Sequence, residues 1–499
     1  MNGLVFEANA RAPVSAPERA DVACFVGFVR RSGAPLPPEI QQWLLEQGWG
    51  NPLALDNVPV PIERWSDFAR LFDSEGTYLG AAVRSFFAQG GRKCYVVRAA
   101  DPWPAEAGRD LRAAWPDKLL PGLGELFEAS PQERTTWKGA AHLFGLPDVS
   151  FLCVPDLAAA LAVDAEPLPP PVQVPASPEV FVDCTEQPSE PQEALTSTRA
   201  APRCDEAGYE RWSRFLARLK TLLSRHVREV QLVAAIPLPY PGTRARTWEL
   251  AGIFEETPYG VLLERGHLQR FQSAFVQLVY PWARTPGSGA LPEGLESPEG
   301  LLTGVLSRNA LLRGTFRSAM NLELADVQEL FPLVARGTLS TPPPVVLTGG
   351  TLRPLMERVS MLGPSPGGIR VLSDVTTSPS ESWRQAGVNR LLSVLLRAAR
   401  RVGQDVVFEP SQARTWLALV YRLESVLVRL WEVGALRGTN AREAFQVRCD
   451  RTTMTQDDID AGRLVAEVEL DAAAAIERIH VILTVAEEGA ISLRTESSP

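Results

Sequence analysis

The segment from Thr415 to Val433 carries apolar side chains at Trp416, Val420, Leu423, Leu427, Leu430 and Trp431, and three β-rich runs follow it, Phe445–Cys449, Arg463–Leu470 and Arg478–Val485. At helical spacing those six side chains form one continuous stripe, which requires a long helix that buries that stripe on a sheet. Ser411 stands where an N-cap belongs and Gly434 where a left-handed C′ glycine ends a helix. Upstream, Ile369–Leu372 reads as a strand, Val388–Val402 as a helix and Val406–Phe408 as a strand. The end of the chain is therefore expected to be a mixed sheet with packed helices.

The first part repeats a strand, helix, strand pattern. Cys24–Val29 is a buried strand, Ile62–Phe72 a short helix, and Leu79, Val83, Phe86 and Phe87 recur at helical spacing until Gly90-Gly91 stops the helix before strand Lys93–Arg98. Ser150–Val154 and Glu229–Ile236 extend the series, the second after a helix over Glu210–His226. Such alternation predicts an α/β domain. At 499 residues and 45% hydrophobic content there is material for roughly three domains. Proline-rich passages divide it: Glu166–Arg203, Pro286–Gly300, and Thr341-Pro342-Pro343-Pro344 leading toward Gly363–Gly368. The expected plan is an N-terminal arm over 1–20, an α/β region over 21–345 with a Pro-rich excursion near 166–203, a C-terminal domain over 346–485 and a C-terminal arm over 486–499.

Charge and motifs restrict the function. A net charge of −9 argues against a nucleic-acid partner, which calls for a basic excess. The apolar runs Val230–Leu238 and Ile479–Val485 are far shorter than the ~20 residues of a membrane span, and the first residues lack the basic and apolar regions of a secretory signal, so folding in the cytoplasm is expected. Cys24, Cys94, Cys153, Cys184, Cys204 and Cys449 form no C-x-x-C pair, and the four histidines His142, His226, His267 and His480 are scattered. Neither a phosphate loop nor a dinucleotide fingerprint is present, and Gly287-Ser288-Gly289 lacks the strand and helix of a nucleophile elbow and reads as a flexible turn. Asp457-Asp458-Ile459-Asp460 lacks the glycine and terminal glutamate of a calcium loop and reads as a helical turn. No cofactor, metal or catalytic residue is expected.

The residues do carry a resemblance. Val407-Phe408-Glu409-Pro410, Trp416, the helix end Leu430-Trp431-Glu432-Val433-Gly434-Ala435-Leu436-Arg437-Gly438, then Ala444–Asp450 and Thr452–Leu464 resemble the C-terminal end of contractile phage tail sheath proteins. Tyr78–Arg98 is similar to that family's segment of helix, glycine pair and strand. Ser297-Pro298-Glu299-Gly300 through Gly304, Arg308, Arg313-Gly314, Ala319 and Asn321 are similar to its central loop and following turn, and Trp383–Leu392 adds to the match. Two features depart from the family: its Pro-Gly-Val-Tyr start is replaced by Gly3-Leu4-Val5-Phe6, and 99–146 and 166–203 match no part of it.

The resemblance implies a structural, non-enzymatic subunit that polymerises around an inner tube, with the C-terminal domain as inner layer and the α/β region outside. Its partners would be copies of itself, the tube protein, and baseplate and cap proteins, in a phage-tail-like particle assembled in the cytoplasm and retained or released. Extended terminal arms would exchange strands between subunits through Leu4, Val5, Phe6 and Glu7 and through Val481, Leu483, Val485, Ile491 and Leu493. On the helix over Val388–Val402, Arg390, Arg397 and Arg401 fall within about 40° of one another at 100° per residue, with Arg400 at the margin and Leu391, Leu395, Ala399 and Val402 opposite. That basic ridge is expected to face an acidic tube wall. The competing class is an α/β hydrolase or transferase whose site the sequence does not reveal.

Overall fold

The computed structural model describes residues 19–49, 54–104, 107–120, 129–164, 199–240, 272–334, 339, 355–406, 412–460, 463–473, 479–485 and 491–497. The expected N-terminal arm, most of the Pro-rich excursion, the strand over 407–408, Ser411 and Cys184 lie outside the described residues.

Eight strands form one sheet: β1 (Val22–Phe28), β2 (Pro59–Ile62), β3 (Cys94–Ala100), β4 (Val149–Cys153), β5 (Gln231–Ala235), β6 (Val276–Tyr280), β7 (Ser360–Ser365) and β8 (Gly368–Val371). Their order is β8-β7-β6-β5-β4-β1-β3-β2. The six inner strands are parallel, and β2 and β8 close the edges antiparallel. Every residue of β1, β4, β5 and β6 is buried, because a parallel sheet is covered on both faces and its strands read as unbroken apolar runs.

Helices α1 (Tyr78–Ala88), α2 (Glu206–His226) and α3 (Glu299–Leu312) supply the cover. Thr77 caps α1 by accepting from the Gly80 N–H at 3.2 Å, and Asp205 caps α2 through the Gly208 N–H at 2.8 Å. Leu79, Val83 and Phe86 of α1 share a core with Leu301, Leu302, Val305 and Leu306 of α3 on one face. Tyr209, Trp212, Phe215, Leu216, Leu219 and Leu223 of α2 fill the other.

The similarity to a central loop over Ser297–Gly304 is corrected by α3, which is buried nearly all round, so no amphipathic period marks it. Its two glycines allow the helices to touch: a Cβ at Gly300 would lie 2.1 Å from the Ala82 carbonyl oxygen, and one at Gly304 2.6 Å from that of Phe86. Nor is Gly287-Ser288-Gly289 a flexible turn. Ser288 is buried, its hydroxyl sits 3.0 Å from the Thr285 carbonyl and 2.6 Å from that of Gly294, and it accepts the Thr285 N–H at 2.9 Å.

The boundary expected at 345 also moves. β7 and β8 extend the large sheet, so the second layer begins beyond Val371. That layer comprises α4 (Ala386–Val406), α5 (Ala413–Glu432) and a second sheet, β9 (Phe445–Arg448), β10 (Leu464–Leu470), β11 (Ile479–Val485) and β12 (Ile491–Ser497), antiparallel throughout in that order. Val406 closes α4 and does not open a strand. Gly434 has φ +76°, as a C′ glycine requires. Trp416, Leu419, Leu423 and Leu427 of α5 pack with Leu391 and Leu395 of α4 and with Ala466, Val468, Val481 and Leu483 of the sheet.

Gly300→Ala should destabilise the protein by about 1–3 kcal/mol through overpacking at the α1–α3 contact. A chemical-denaturation midpoint equal to that of the unaltered protein would refute the close approach.

Candidate assembly interface

The four arginines expected to face a tube lie along α4, and the structure turns most of them inward. Arg390 is 3% exposed and forks onto Asp374, itself fully buried, at 2.6 and 3.1 Å. Its Nε donates to the Thr315 carbonyl at 2.7 Å. Asp374 also accepts the Ala319 N–H at 2.8 Å and the Gln277 amide at 2.9 Å. Burial pushes this carboxyl up, but the adjacent Arg390 charge and these hydrogen bonds outweigh it and hold the pKa below the usual carboxylate range. Arg397 is buried too and donates to the carbonyls of Arg19 at 2.6 Å and Val149 at 3.0 Å. Arg400 pairs with Glu229 and donates to the His226 carbonyl at 3.3 Å. Arg401 alone of the four is exposed.

The basic ridge is thus corrected. α4 is buried on its apolar side by the second core and on its arginine side by the first domain, where it spans the amino ends of β1, β4 and β5. Asp374 and Glu229, which lie far from α4 in sequence or outside its helical period, provide the counter-charges. The signal available beforehand was weak: Asp374 stands in the polar run Ser373–Thr377 just before the helix.

The strand-exchange residues divide differently. Leu4, Val5, Phe6 and Glu7 lie outside the described residues. Val481 and Leu483 are buried in β11, which pairs with β10 on one side and β12 on the other. Val485 opposes Ile491 and Leu483 opposes Leu493 within the same chain. β9 and β12 are the outer strands of this sheet, each with one edge unpaired among the described residues. On α5, Leu417 and Tyr421 are 69% and 74% exposed one turn apart, with Arg414 exposed one turn before them.

The position where a parallel sheet usually binds ligands is filled. β1 lies between β3 and β4, a reversal of strand order that opens a crevice at the carboxyl ends of β1 and β4. There Asp156, buried, accepts the Phe28 N–H at 2.9 Å, and a Cβ at Gly27 would lie 2.2 Å from the same carboxylate. Glu299 of α3 accepts the Ala235 N–H at 2.8 Å at the end of β5, and Glu296 pairs with the Ser85 hydroxyl. Burial pushes Asp156 up to about 7 and Glu296 and Glu299 up to about 8. Glu296 and Glu299 therefore keep their protons near neutrality, while Asp156 sits near its midpoint there.

His142 is buried against Trp49 and Trp137, and burial lowers its pKa to about 4. Cys24, Cys94, Cys153, Cys204 and Cys449 are free and buried. Gln456–Asp460 forms the expected helical turn, in which Asp458 pairs with Arg463 at 2.8 Å. Among the described residues no cluster could hold a metal ion, and no helix is long and apolar enough to cross a membrane.

The sequence matches no protein-family model and no curated protein. Solved structures do match. A chain of the anti-feeding prophage baseplate is 21% identical, with a TM-score of 0.54 and coverage of 95% of this chain and 95% of that one. The helical sheath of the anti-feeding prophage in its contracted state is 21% identical, with a TM-score of 0.53 over 94% and 95%. The contracted sheath complex of the extracellular contractile injection system PVC is 18% identical, with a TM-score of 0.50 over 95% and 93%. The resemblance drawn from the sequence thus extends to the fold along nearly the whole chain.

Two outcomes follow from this geometry. Arg390→Met should cost about 3–5 kcal/mol by leaving Asp374 charged and buried, and Arg390→Met combined with Asp374→Leu should recover much of that loss in denaturant melts. The second concerns pH. Glu296 and Glu299 keep their protons in the folded state to about 8, whereas the unfolded chain releases them near 4.5. Their contribution is complete below the unfolded value and is lost as pH rises through the folded one, so stability should fall between pH 5 and 9. Glu296→Gln with Glu299→Gln should flatten that slope, and melts at pH 5 and 9 that decline as steeply as before would contradict the assignment.

Proposed function

We propose that this protein is the sheath subunit of a contractile, phage-tail-like injection particle. The observation that carries the reading is the fold likeness to the contracted sheath structures, which covers 94% and 95% of the chain and so runs through both the large α/β domain and the second layer. In this reading copies of the chain polymerise helically around an inner tube, with baseplate and cap proteins at the ends. The second layer, 372–485, faces inward and the eight-stranded domain outward. Assembly takes place in the cytoplasm of the producing cell.

Contraction is a rigid-body movement. Subunits stored in an extended lattice rotate outward into a wider, shorter one of lower free energy, and the stored state persists behind a barrier until the baseplate releases it. The α4 arginines support rigidity, because they tie the two layers through buried bonds that do not need to break when a subunit turns. With Arg390 and Arg397 in the interior, contact with an acidic tube would run through exposed Arg401 and the Arg414, Leu417 and Tyr421 face of α5.

Ties between neighbours are proposed at the termini. β12 follows β11 after only 486–490 and is an edge strand, so the same register can be made with β11 of another copy, an exchange of identical elements between subunits. Residues 4–7 would add to a remaining open edge, that of β9 or β12. The hydrolase or transferase alternative finds no support: Ser288 is bonded into its own turn, and the crevice at the strand ends is filled by Asp156 and Glu299.

Leu483→Cys with Leu493→Cys places two thiols at directly opposed positions of β11 and β12, within disulfide reach. Electron microscopy of the chain with its tube protein should show striated cylinders, and oxidised cylinders on a non-reducing gel should run as covalent ladders. Compact particles alone would overturn the sheath reading. Cylinders whose chains remain monomeric after complete oxidation would overturn strand exchange and leave the sheath reading standing.

A further inference from the structure

A cavity of about 500 Å³ lies between the first half of α2 and the short helices Trp115–Leu119 and Leu157–Leu161, in a region no assembly feature uses. Leu161, Phe215 and Pro116 give it an apolar side. Opposite stand Arg211, Arg214 and Arg218, which recur at i, i+3 and i+7 and so share one face of α2. Like charges so arranged repel unless each is matched.

The nearby carboxylates do not match them all. Arg109 forks onto Asp205 with both contacts at 2.7 Å. Arg112 binds Asp164 at 3.1 Å and the carbonyls of Ala159 and Ala162. Arg214 pairs with Glu210 at 3.2 Å. Asp117 is the one acid among the described lining residues, against three arginines. Arg218 makes no ion pair with a described carboxylate, and the Nε and Nη2 atoms of Arg211 meet no acceptor among the described residues. Burial, with Arg109 alongside, pushes the Arg211 pKa down, as befits a cation held without a counter-charge of its own.

We propose that this cavity is a binding site for a small oxyanion, a phosphate or carboxylate carried on a compact apolar body, held by Arg211 with Arg218 as the second cation. A guanidinium presents parallel N–H donors at the spacing of two oxygens of such a group, and three guanidiniums line this cavity against one carboxylate. The volume is that of small-molecule pockets, and the apolar side would bury the ligand's body.

Isothermal titration calorimetry on the full chain tests this, using inorganic phosphate, phenyl phosphate and benzoate at ionic strength held constant with sodium chloride. Phenyl phosphate or benzoate should bind saturably at one site per chain, at least about threefold more tightly than inorganic phosphate, and the better of the two identifies the head group. Arg211→Gln should weaken that binding about tenfold or more, Arg211→Lys less, and Arg218→Gln about threefold, while Arg422→Gln on α5 should leave it unchanged. Arg218 is exposed, so its variant reads the site even if Arg211→Gln fails to fold. Absence of saturable binding by all three probes, or binding by the folded Arg211→Gln and Arg218→Gln variants equal to that of the unaltered chain, would overturn the proposal.

Discussion

The buried pair of Asp374 and Arg390 is the point on which the two layers meet. Its oxygens and nitrogens reach Gln277 in β6, the Ala319 amide after α3, and the Thr315 carbonyl, so one ion pair joins the large sheet, the α3 turn and α4. Desolvating two charges costs several kcal/mol each, and only close geometry with every remaining donor and acceptor engaged offsets it. That requirement makes the arrangement specific: sliding or rotating α4 would leave a charge buried without its partner. Arg397 and Arg400 repeat the condition further along the helix, against the Arg19 and Val149 carbonyls and Glu229.

This clamp was also what the sequence concealed most effectively. Helical periodicity correctly placed Leu391, Leu395 and Ala399 on a buried side of α4. It then assigned Arg390 and Arg397 to an outward face turned to a tube, because a period of 3.6 separates polar from apolar and says nothing about whether another part of the same chain covers the polar side. Strands β1, β3, β4 and β5 were legible as continuous apolar runs, and β9, β10 and β11 by β-rich composition. β6 went unread although all five of its residues are buried, and β2 has prolines at two of its four positions, which an edge strand tolerates. α3 was hidden for the opposite reason to α4: with apolar or small residues on nearly every side, it has no stripe to detect. The C-terminal resemblance survived because Gly434, Trp431 and the runs after them keep their spacing whatever packs on α4.

A doubly wound sheet ordinarily leaves its carboxyl-end crevice open for a ligand, and here side chains occupy it. Asp156 at the end of β1 and Glu299 at the end of β5 use main-chain N–H groups that would otherwise face a bound group. With their ionised forms disfavoured by burial, they act as hydrogen-bonding core residues. At its usual ligand position this α/β sheet is therefore closed, which would suit the proposed force-transmitting part better than an open crevice there.

Strength under load then depends on where the chain is soft. Inside a subunit, α4 is bonded on one side and packed on the other, and the large sheet is covered on both faces. The second sheet differs. Buried positions alternate with half-exposed ones along β10, and β9 and β12 each keep one edge unpaired among the described residues. In the proposed polymer each exchanged backbone bond would contribute only about 0.5–1.5 kcal/mol, yet a donated strand that stays part of its own chain would hold neighbours at high effective concentration, so modest bonds repeated along the lattice would resist separation together. Under the proposed function, a rigid subunit with edges left to pair on its smaller sheet would change its angle to its neighbours without letting them go, which is the combination a contracting lattice demands of its parts.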